Sequence, residues 1–380
     1  MRYKFDDIAI NSIAKKKPIA SDNSTYLGLE HLDSENLTVT RFGSDVAPIG
    51  EKLIMKRGDV LFGKRRAYQR KVAIAPFDGI FSAHGMVLRP KEKVIDEDFF
   101  PLFISSDYFL DAAIKISVGS LSPTINWNTL KELEFELPPI ARQQQLSKVL
   151  WAAIEAKYAY KMLLLLTEQI VKSRFVEMFG DPVTNPMGWE VISFGEVFEI
   201  TSSNRILKSE WRNEGVPFYR VRDMVVLAEN GTVDNEFFVS EEFYSKLKDN
   251  NGIPCDGDIM ISATGTIGKC YIVKPSERFY YKDADVLRFR KKEDILADYF
   301  VHCLKTPFVW EQIISTMPVT TVGHLTIVNA KKIKFPLPPI PLQNRFAEFV
   351  KQADKSKFEL QRTIDELDAT YKSILRENLG

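Results

Sequence analysis

Two nearly identical hexapeptides, Phe-Glu-Leu-Pro-Pro-Ile at 135–140 and Phe-Pro-Leu-Pro-Pro-Ile at 335–340, lie 200 residues apart in this chain of 380 residues. Their paired prolines stop a strand and are tolerated in the first turn of a helix. Long stretches without Gly or Pro follow, at 141–179 and 342–379. The hexapeptides therefore predict a strand, a sharp turn and a long helix, twice in one chain.

Further matches extend this repeat toward the N-terminal side of each hexapeptide. Asp98-Phe99-Phe100 matches Asp298-Tyr299-Phe300 at an offset of 200, and residues 26–32 resemble residues 218–224 at an offset of 192. Three more pairs share an offset of 199: Gly58-Asp59-Val60 with Gly257-Asp258-Ile259, Pro76 with Pro275, and Val87-Leu88-Arg89 with Val286-Leu287-Arg288. Such regularity indicates two copies of one plan with a few insertions.

Each copy has the same internal order. Short β-like runs bounded by Pro, Gly and Asp come first, and a helical stretch follows at Phe99–Ile114 and at Tyr299–Ile314. The predicted division is a first domain at 1–140, a helix at 141–180, a second domain at 181–340 and a second helix at 341–380.

Apolar residues recur every three or four positions along both breaker-free stretches, from Leu146 through Val149 to Ile170 and from Phe346 to Ile374. At about 1.5 Å per residue, each helix would be roughly 58 Å long. A lone helix cannot bury such a stripe, so each is expected to cover the other. Gly180-Asp181-Pro182 should end the first helix. The predicted fold class is α+β: two similar β-rich domains, each followed by a long helix, with the helices paired as an antiparallel coiled coil of pseudo-two-fold symmetry.

Composition restricts the function. Hydrophobic residues make up 45% and charged residues 27%, as in a folded protein, and 51 Lys and Arg balance 51 Asp and Glu. Bulk positive charge therefore cannot drive binding to polyanions, although a local basic patch can. The three cysteines and four histidines lack the spacing of disulfide or zinc sites, and His302-Cys303 is interpreted as a buried helical pair. With no signal peptide and no long apolar run, we expect a cytoplasmic protein without a membrane segment.

Two similar domains joined by a rigid spacer could recognise a DNA sequence that consists of two separated parts. A symmetric dimer reads two half-sites because its two-fold axis matches that of DNA. A single duplicated chain can hold two different readers and so recognise an asymmetric site with a fixed unread gap.

The local residues fit DNA contact. The first copy has a basic run between two β-runs, where Lys and Arg would neutralise phosphates and Arg or Gln would reach base edges. The second copy has a polar, Gly-rich loop at the matching place, with Lys269 aligned to Arg70. The predicted DNA-binding residues are Lys64, Arg65, Arg66, Tyr68, Gln69, Arg70, Lys71, Ser120, Arg220, Arg222, Thr264, Thr266, Lys269, Thr320, Thr321 and His324. Arg220 and Arg222 are placed on a strand-like run, and Lys15-Lys16-Lys17 is interpreted as a solvated loop.

The sequence lacks the motifs expected of an enzyme. Residues 263–270 resemble a phosphate-binding loop but lack its first Gly, and Cys270 stands where the magnesium-binding Ser or Thr would be. Neither a dinucleotide-binding fingerprint nor a nucleophile with its base can be drawn. We therefore expect a recognition protein that is not an enzyme and that holds neither metal nor cofactor.

Several segments together resemble the DNA-specificity subunit of type I restriction–modification systems. They are the repeated LPPI with its long helix, SRFVEMFGDP at 173–182, Gly-Trp-Glu at 188–190 and DIMISATGTIGKCYIV at 258–273. The resemblance covers essentially the whole chain. The first copy departs from it by carrying the basic run 64–71 instead of a Gly-Thr-x-Gly-Lys-like loop.

The resemblance implies a non-catalytic subunit that reads a bipartite, asymmetric site in double-stranded DNA. Its partners would be two modification subunits, which methylate adenine with S-adenosylmethionine, and restriction motor subunits, so that S-adenosylmethionine, ATP and Mg²⁺ are expected only on those partners. Helix faces near Gln143–Lys148 and Gln343–Glu348 are the expected docking surfaces. Alone, the chain should bind DNA weakly and in a salt-sensitive way. The alternative is a coiled-coil scaffold whose two modules bind proteins and not DNA, and a stand-alone nuclease or methylase is a third class.

Overall fold

The computed structural model describes residues 1–45, 48–249, 252–317 and 323–379. The strands of the first copy are β1 (Arg2–Lys4), β2 (Ala9–Ser12), β3 (Lys15–Lys16), β4 (Tyr26–Leu27), β5 (Lys52–Met55), β6 (Val60–Phe62), β7 (Val72–Ile74), β8 (Gly79–Phe81), β9 (Met86–Pro90) and β10 (Glu134–Glu136). Its helices are α1 (Phe5–Ile8), α2 (Phe100–Ser105), α3 (Asp107–Lys115), α4 (Trp127–Leu130) and the long α5 (Ile140–Phe179).

The second copy repeats this order with additions. Its strands are β11 (Glu190–Ser193), β12 (Phe198–Thr201), β13 (Val216–Tyr219), β14 (Phe238–Val239), β15 (Ile259–Ser262), β16 (Cys270–Ile272), β17 (Tyr280–Tyr281), β18 (Val286–Lys291) and β19 (Lys334–Leu337). Its helices are α6 (Phe194–Val197), α7 (Val221–Asn230), α8 (Glu241–Asp249), α9 (Ala297–Leu304), α10 (Pro307–Ser315), α11 (Ile327–Lys332) and the long α12 (Ile340–Leu379).

The chain forms two compact units with the same sheet plan. Unit 1 comprises Met1–Leu163 and Leu360–Gly380, and unit 2 comprises Leu164–Glu359. The four-stranded sheet β2-β9-β6-β7 of unit 1 corresponds to β12-β18-β15-β16 of unit 2, and the pair β1-β10 corresponds to β11-β19. A parallel pair, β4 with β8, likewise corresponds to β13 with β17. The prediction of an α+β fold with two similar β-rich domains, each followed by a long helix, is confirmed.

In each unit a buried glutamine joins the long helix to the β-rich part. The amide nitrogen of Gln143 donates to the carbonyls of Pro138 (2.8 Å) and Val94 (3.2 Å), and its oxygen accepts from the backbone N–H of Asp96 (2.9 Å). Gln343 repeats this: it donates to the carbonyl of Pro338 (2.7 Å) and accepts from the N–H of Leu296 (2.9 Å).

The burial of these glutamines corrects one expectation. Gln143 is 1% exposed and Gln343 is fully buried, so neither belongs to an exposed docking face. Each side chain satisfies backbone groups that its proline turn leaves without partners, which is why a polar residue stands inside the core. The predicted role of the LPPI motifs, ending a strand and opening a helix, is confirmed.

Gly180 ends α5 as the sequence predicted. Its φ of 79° lies in the left-handed region, and its N–H donates to the carbonyl of Val176 at 2.8 Å. A Cβ at this position would meet the Pro186 ring at 2.7 Å. Only glycine fits here, because both the backbone conformation and the neighbouring ring exclude a side chain.

The long helices pack antiparallel within each unit. In unit 1, Arg142 donates to the side-chain oxygen of Asn378 (3.2 Å), and Lys157 forms an ion pair with Asp368. In unit 2, the Phe175 and Phe346 rings lie 5.5 Å apart, and Arg174 lies over the ring of Phe349. The predicted antiparallel pairing therefore holds in both units.

The buried face of α5 differs in part from the predicted stripe. Val149 and Ile170 are 55% and 56% exposed, whereas Leu150 and Val171 are buried. The reason is that α5 also packs against the β-rich parts: Leu150 joins the core of unit 1, and Val171 joins that of unit 2.

The pairing of the strands shows that the sequence offset between the two copies is not constant at 199. Val60 pairs with Ile74 and Leu88, and Ile259 pairs with Ile272 and Phe289. The true offset is therefore 199 at β6, 198 at β7 and 201 at β9, so that Arg89 corresponds to Arg290 and not to Arg288. The ion pairs support this correspondence, because Asp59 pairs with Arg89 (2.6 Å) in unit 1 and Asp258 pairs with Arg290 (2.8 Å) in unit 2. Pairing fixes the strands, and the connecting loops absorb the differences in length.

Each predicted helical stretch is two helices. Ser106 separates α2 from α3, because its hydroxyl caps α3 by accepting from the N–H of Phe109 at 3.2 Å. Thr306 stands at the equivalent break, followed by Pro307, which lacks an N–H to continue α9. Lys15 and Lys16 form the short strand β3 paired with β5, so their assignment to a loop was wrong, whereas Lys15 and Lys17 are exposed as predicted.

Aromatic rings dominate both cores. Phe5, Phe109 and Phe135 pack together in unit 1, and Phe194, Phe300 and Phe335 do so in unit 2. The predicted buried pair His302-Cys303 is confirmed in part, since Cys303 is buried and His302 is half-buried. The ring of His302 lies 2.8 Å from the carbonyl of Asp298, and burial lowers its pKa to about 4. Among the described helices, none combines the length and apolar character needed to cross a membrane.

Replacing Gln143 with Leu should destabilise unit 1 by about 3 kcal/mol, because buried backbone groups that lose their partner cost roughly 1–3 kcal/mol each. Urea unfolding followed by circular dichroism measures this change. Gln144→Leu is the matched control, since Gln144 is the exposed neighbour on the same helix turn. Equal stability of the two variants would contradict the role assigned to the Gln143 amide.

Iodoacetamide at pH 8 should label Cys255 alone in the folded chain. Cys255 is exposed, whereas burial raises the pKa of the Cys270 and Cys303 thiols to about 12. At pH 8 roughly one in 10⁴ of such thiols is ionised, and the thiolate is the reacting form. Intact-mass measurement counts the labels, with the chain unfolded in guanidinium as the control that labels all three. More than one label on the folded chain would contradict this burial.

Candidate nucleic-acid interface

Three loops meet at one end of the four-stranded sheet in unit 1. We call residues 63–71, between β6 and β7, reading loop 1. It is closed by a hydrogen bond from the N–H of Gly63 to the carbonyl of Lys71 (2.9 Å). The N–H of Arg65 donates to the carbonyl of His84 (3.2 Å), and the carbonyl of Lys64 accepts from Ile125 (2.9 Å). The turn before β9 and the hairpin before α4 thus flank reading loop 1.

Unit 2 builds the same arrangement from different residues. Reading loop 2, residues 262–269 between β15 and β16, is closed by a hydrogen bond from the N–H of Ser262 to the carbonyl of Lys269 (2.9 Å). Its backbone also bonds to Asp285 (2.8 Å) and Leu325 (2.9 Å) through the N–H and the carbonyl of Ala263. The isolated β-bridges are also equivalent: Arg65 pairs with Thr124 in unit 1, and Thr264 pairs with His324 in unit 2.

These bonds correct the alignment of Lys269. Lys71 closes reading loop 1 and Lys269 closes reading loop 2, so Lys269 corresponds to Lys71 and not to Arg70. Reading loop 2 is one residue shorter. The difference falls inside the loop, where no strand pairing opposes it.

Reading loop 1 contains strained backbone. Arg66 and Arg70 have φ values of 55° and 51°, in the left-handed region, whereas reading loop 2 has glycines in that region, Gly265 and Gly268. The conformation costs roughly 1–2 kcal/mol for a residue with a side chain. Strain of this kind concentrates at functional sites, which makes Arg66 a candidate contact residue.

The predicted residues of reading loop 1 separate into exposed and internally paired groups. Arg65, Arg66 and Tyr68 are exposed, and Lys64 and Gln69 are half-buried. Arg70 instead pairs with Asp107 (2.5 Å) and with Asp111, and the Lys71 ammonium donates to the carbonyl of Leu29 (2.6 Å). Contact of Arg70 or Lys71 with a ligand would therefore compete with bonds inside unit 1.

Reading loop 2 presents mostly uncharged groups. Thr266 is exposed, and the Thr264 hydroxyl donates to the carboxylate of Asp285 at 3.1 Å. Lys269 forms an ion pair with Glu229 at 2.6 Å. This loop therefore offers hydroxyls, backbone groups and one paired cation to a ligand.

Arg220 and Arg222 lie at the start of a helix and not on a strand, which corrects the prediction. The strand β13 ends at Tyr219 because the Asp223 carboxylate accepts from the N–H of Arg220 (2.9 Å) and so opens α7. Both guanidinium groups bond to Asp223 and Glu236. Arg220 has little free capacity for another anion, whereas Arg222 remains 63% exposed at its side chain.

The remaining predicted contacts lie in the third loop. Ser120 is exposed in the hairpin that the Val118–Thr124 bridge closes, and His324 is half-buried beside Thr264. Thr320 and Thr321 fall outside the described residues. DNA contact by any of the sixteen predicted side chains stays a prediction.

Sequence reasoning missed His84. Its Nε2 lies 3.3 Å from Nη1 of Arg65, and burial together with the nearby cations lowers its pKa. The signal was absent because His84 lies between β8 and β9, about twenty residues from the basic run along the chain. Among the described residues no group of three His, Cys, Asp or Glu side chains could hold a metal ion.

Known proteins resemble this chain along its length. The family model of the type I restriction modification DNA specificity domain matches residues 14–158 and 186–367. A Haemophilus influenzae protein named as a type I restriction enzyme specificity subunit is 24% identical over 275 residues, 70% of this chain and 66% of that protein. The type I restriction enzyme MjaIX specificity subunit of Methanocaldococcus jannaschii is 25% identical over 285 residues, 69% of this chain and 63% of that protein. The matches thus span slightly less than two thirds of these curated relatives.

A solved structure supports the fold. The S subunit of the type I restriction–modification system from M. genitalium superposes with a TM-score of 0.59 at 15% identity, covering 100% of this chain and 96% of that chain. The family match includes both copies, with the β-rich part of each and part of its long helix. The chain therefore belongs to the family that carries the type I restriction modification DNA specificity domain.

Proposed function

We propose that this chain is the recognition subunit of a type I restriction–modification complex and that it reads a bipartite, asymmetric sequence in double-stranded DNA. Unit 1 would read one half of the site and unit 2 the other. One observation carries the proposal: the two units hold the same three-loop arrangement, with each reading loop closed by an equivalent backbone bond and with different side chains at equivalent positions.

Recognition through these loops is chemically reasonable. Arg65, Arg66 and Tyr68 on reading loop 1 can contact phosphates and base edges, and Thr264 and Thr266 on reading loop 2 offer hydroxyls that bond to either. The stiff β-hairpins beneath the loops limit their movement, which favours specific over indiscriminate binding.

Chemistry would be left to partner subunits. Two modification subunits would bring S-adenosylmethionine and methylate adenine, and restriction motor subunits would bring ATP and Mg²⁺. Burial raises the pKa of the Cys270 and Cys303 thiols to about 12, which makes them unsuited to nucleophilic catalysis and fits a recogniser that is not an enzyme.

The long helices would serve as spacer and docking surface. Unit 2 leaves large apolar side chains exposed on them, at Leu165 (54%), Leu166 (46%), Ile170 (56%) and Phe358 (68%). Exposed apolar side chains grouped on a helix are typical of a partner interface. These residues replace Gln143 and Gln343 as the proposed contacts of the modification subunits.

Methylome sequencing tests the proposed function. The chain is expressed with its neighbouring modification genes in a host that lacks such systems, and methylated adenine is expected at one split motif. Exchanging residues 262–269 for the loop of another family member should change one half of that motif and leave the other half intact. Loss of both halves, or no methylated motif together with no DNA retained by the purified complex, would favour the protein-binding scaffold instead.

Lengthening the helices should change only the unread gap. Seven residues inserted in α5 after Lys161, with seven more in α12 after Gln361, keep the apolar pattern in phase and add about 10 Å. That corresponds to roughly three base pairs at about 3.4 Å each. The methylated motif should keep both half-site sequences with a longer gap, or recognition should be lost. New half-site sequences would show that reading does not reside in the β-rich parts.

A further inference from the structure

Cations converge around reading loop 1 of unit 1. We call Lys15, Lys52, Lys64, Arg65 and Arg66 the cation cluster, and the imidazole of His84 lies beside it. Arg65 lies 3.3 Å from the ring of His84, and strand β3, which carries Lys15, pairs with strand β5, which carries Lys52. Within the described parts of the chain, no carboxylate forms an ion pair with any member of the cluster, although the chain as a whole has as many acidic as basic residues.

The cluster is held together against its own repulsion. Lys64 is half-buried, and burial followed by the charge of Lys15 lowers its pKa. The pKa of His84 is lowered mainly by burial and further by the charges of Arg65, Lys64 and Lys52. Acidic groups contribute to neither shift. Like charges gathered in this way destabilise the free protein and favour a bound anion.

Unit 2 carries no such cluster at the equivalent positions. The backbone bonds equate Lys64 with Ala263, because each carbonyl accepts from the strand-like residue Ile125 or Leu325. The bridges equate Arg65 with Thr264. The offset of 201 at β9 and β18 places Asp285 where unit 1 has His84.

Two of the lysines near reading loop 2 are paired with carboxylates. Lys282 bonds to Asp285 at 2.8 Å, and Lys269 bonds to Glu229 at 2.6 Å. The same place in the fold therefore carries more positive charge in unit 1 than in unit 2.

We propose that the cation cluster of unit 1 is the main phosphate-binding site of this chain, and that reading loop 2 contacts DNA through uncharged groups without neutralising phosphates. The proposal rests on the proposed function and deepens it. Its ligand is the sugar–phosphate backbone, so binding at this cluster is independent of base sequence. Unit 1 would supply the electrostatic attraction, and unit 2 would add discrimination between sequences.

Salt dependence measures phosphate contacts directly. The full-length chain is titrated against a fluorescent duplex of arbitrary sequence between about 50 and 200 mM salt, and log Kobs is plotted against log salt concentration. Each phosphate contact contributes about 0.9 to the slope. Arg65→Gln and Arg66→Gln should each reduce the slope by about 0.9, and the double variant by about twice that.

Matched variants separate charge from structure. Arg65→Lys keeps the positive charge and should keep the wild-type slope. Lys93→Gln makes the same change at the other end of β9, and Lys282→Gln makes it beside reading loop 2; both should leave the slope unchanged. Thermal melting confirms that each variant is folded, and Arg65 and Arg66 are exposed, so their replacement spares the core.

The outcomes distinguish the inference from the proposed function. If the wild-type chain shows no salt-dependent binding to the duplex, both are overturned. If it binds but Arg65→Gln keeps the wild-type slope, or Lys282→Gln loses as much as Arg65→Gln, the inference is overturned while DNA recognition stands. Tighter binding to a polyglutamate peptide than to the duplex, abolished by Arg65→Gln, would assign the cluster to an acidic protein and overturn the inference.

Discussion

The structure depends on how a buried glutamine amide joins each long helix to its β-rich part. A strand that ends in two prolines leaves carbonyls without partners, and a helix starting there cannot supply them. Gln143 and Gln343 satisfy these groups from inside the core and simultaneously hold the segment after β9 or β18. Because a side chain carried by the helix bonds both to the proline turn and to the β-rich part, the direction of the helix is fixed relative to the sheet that carries the reading loop.

On this common frame the two units have diverged mainly where pairing allows it. The backbone bonds that close the reading loops are retained, while Lys64, Arg65 and His84 are replaced by Ala263, Thr264 and Asp285. Differences in length also fall in the loops. Compared with unit 1, unit 2 has one residue fewer between β15 and β16 and three more between β16 and β18. A duplicated protein can thus change what each half contacts without altering its core.

Much of the architecture was predictable because its causes are local. Prolines, the Gly180 stop and the breaker-free stretches lie next to the elements they control, and the LPPI repeat gave the duplication. The exact register was not predictable: Arg89 and Arg290 are matched by pairing with Asp59 and Asp258, which lie about thirty residues away. Which side chains are free to contact a ligand could not be predicted either, because this depends on folded contacts. Carboxylates pair with Arg70 and Arg220, and His84 lies beside Arg65 only because the sheet brings their loops together.

Unit 1 is made of both ends of the chain. Leu375 and Leu379 lie in the same core as Leu146 and Leu150, although more than 200 residues separate them. During synthesis on the ribosome, the first β-rich part emerges long before the helix segment that covers it. Unit 2, which is continuous in sequence, can complete its core first. A nascent chain must therefore keep an apolar surface of unit 1 uncovered until Leu375 and Leu379 have been translated, and a stop ahead of them would leave unit 1 incomplete rather than unit 2.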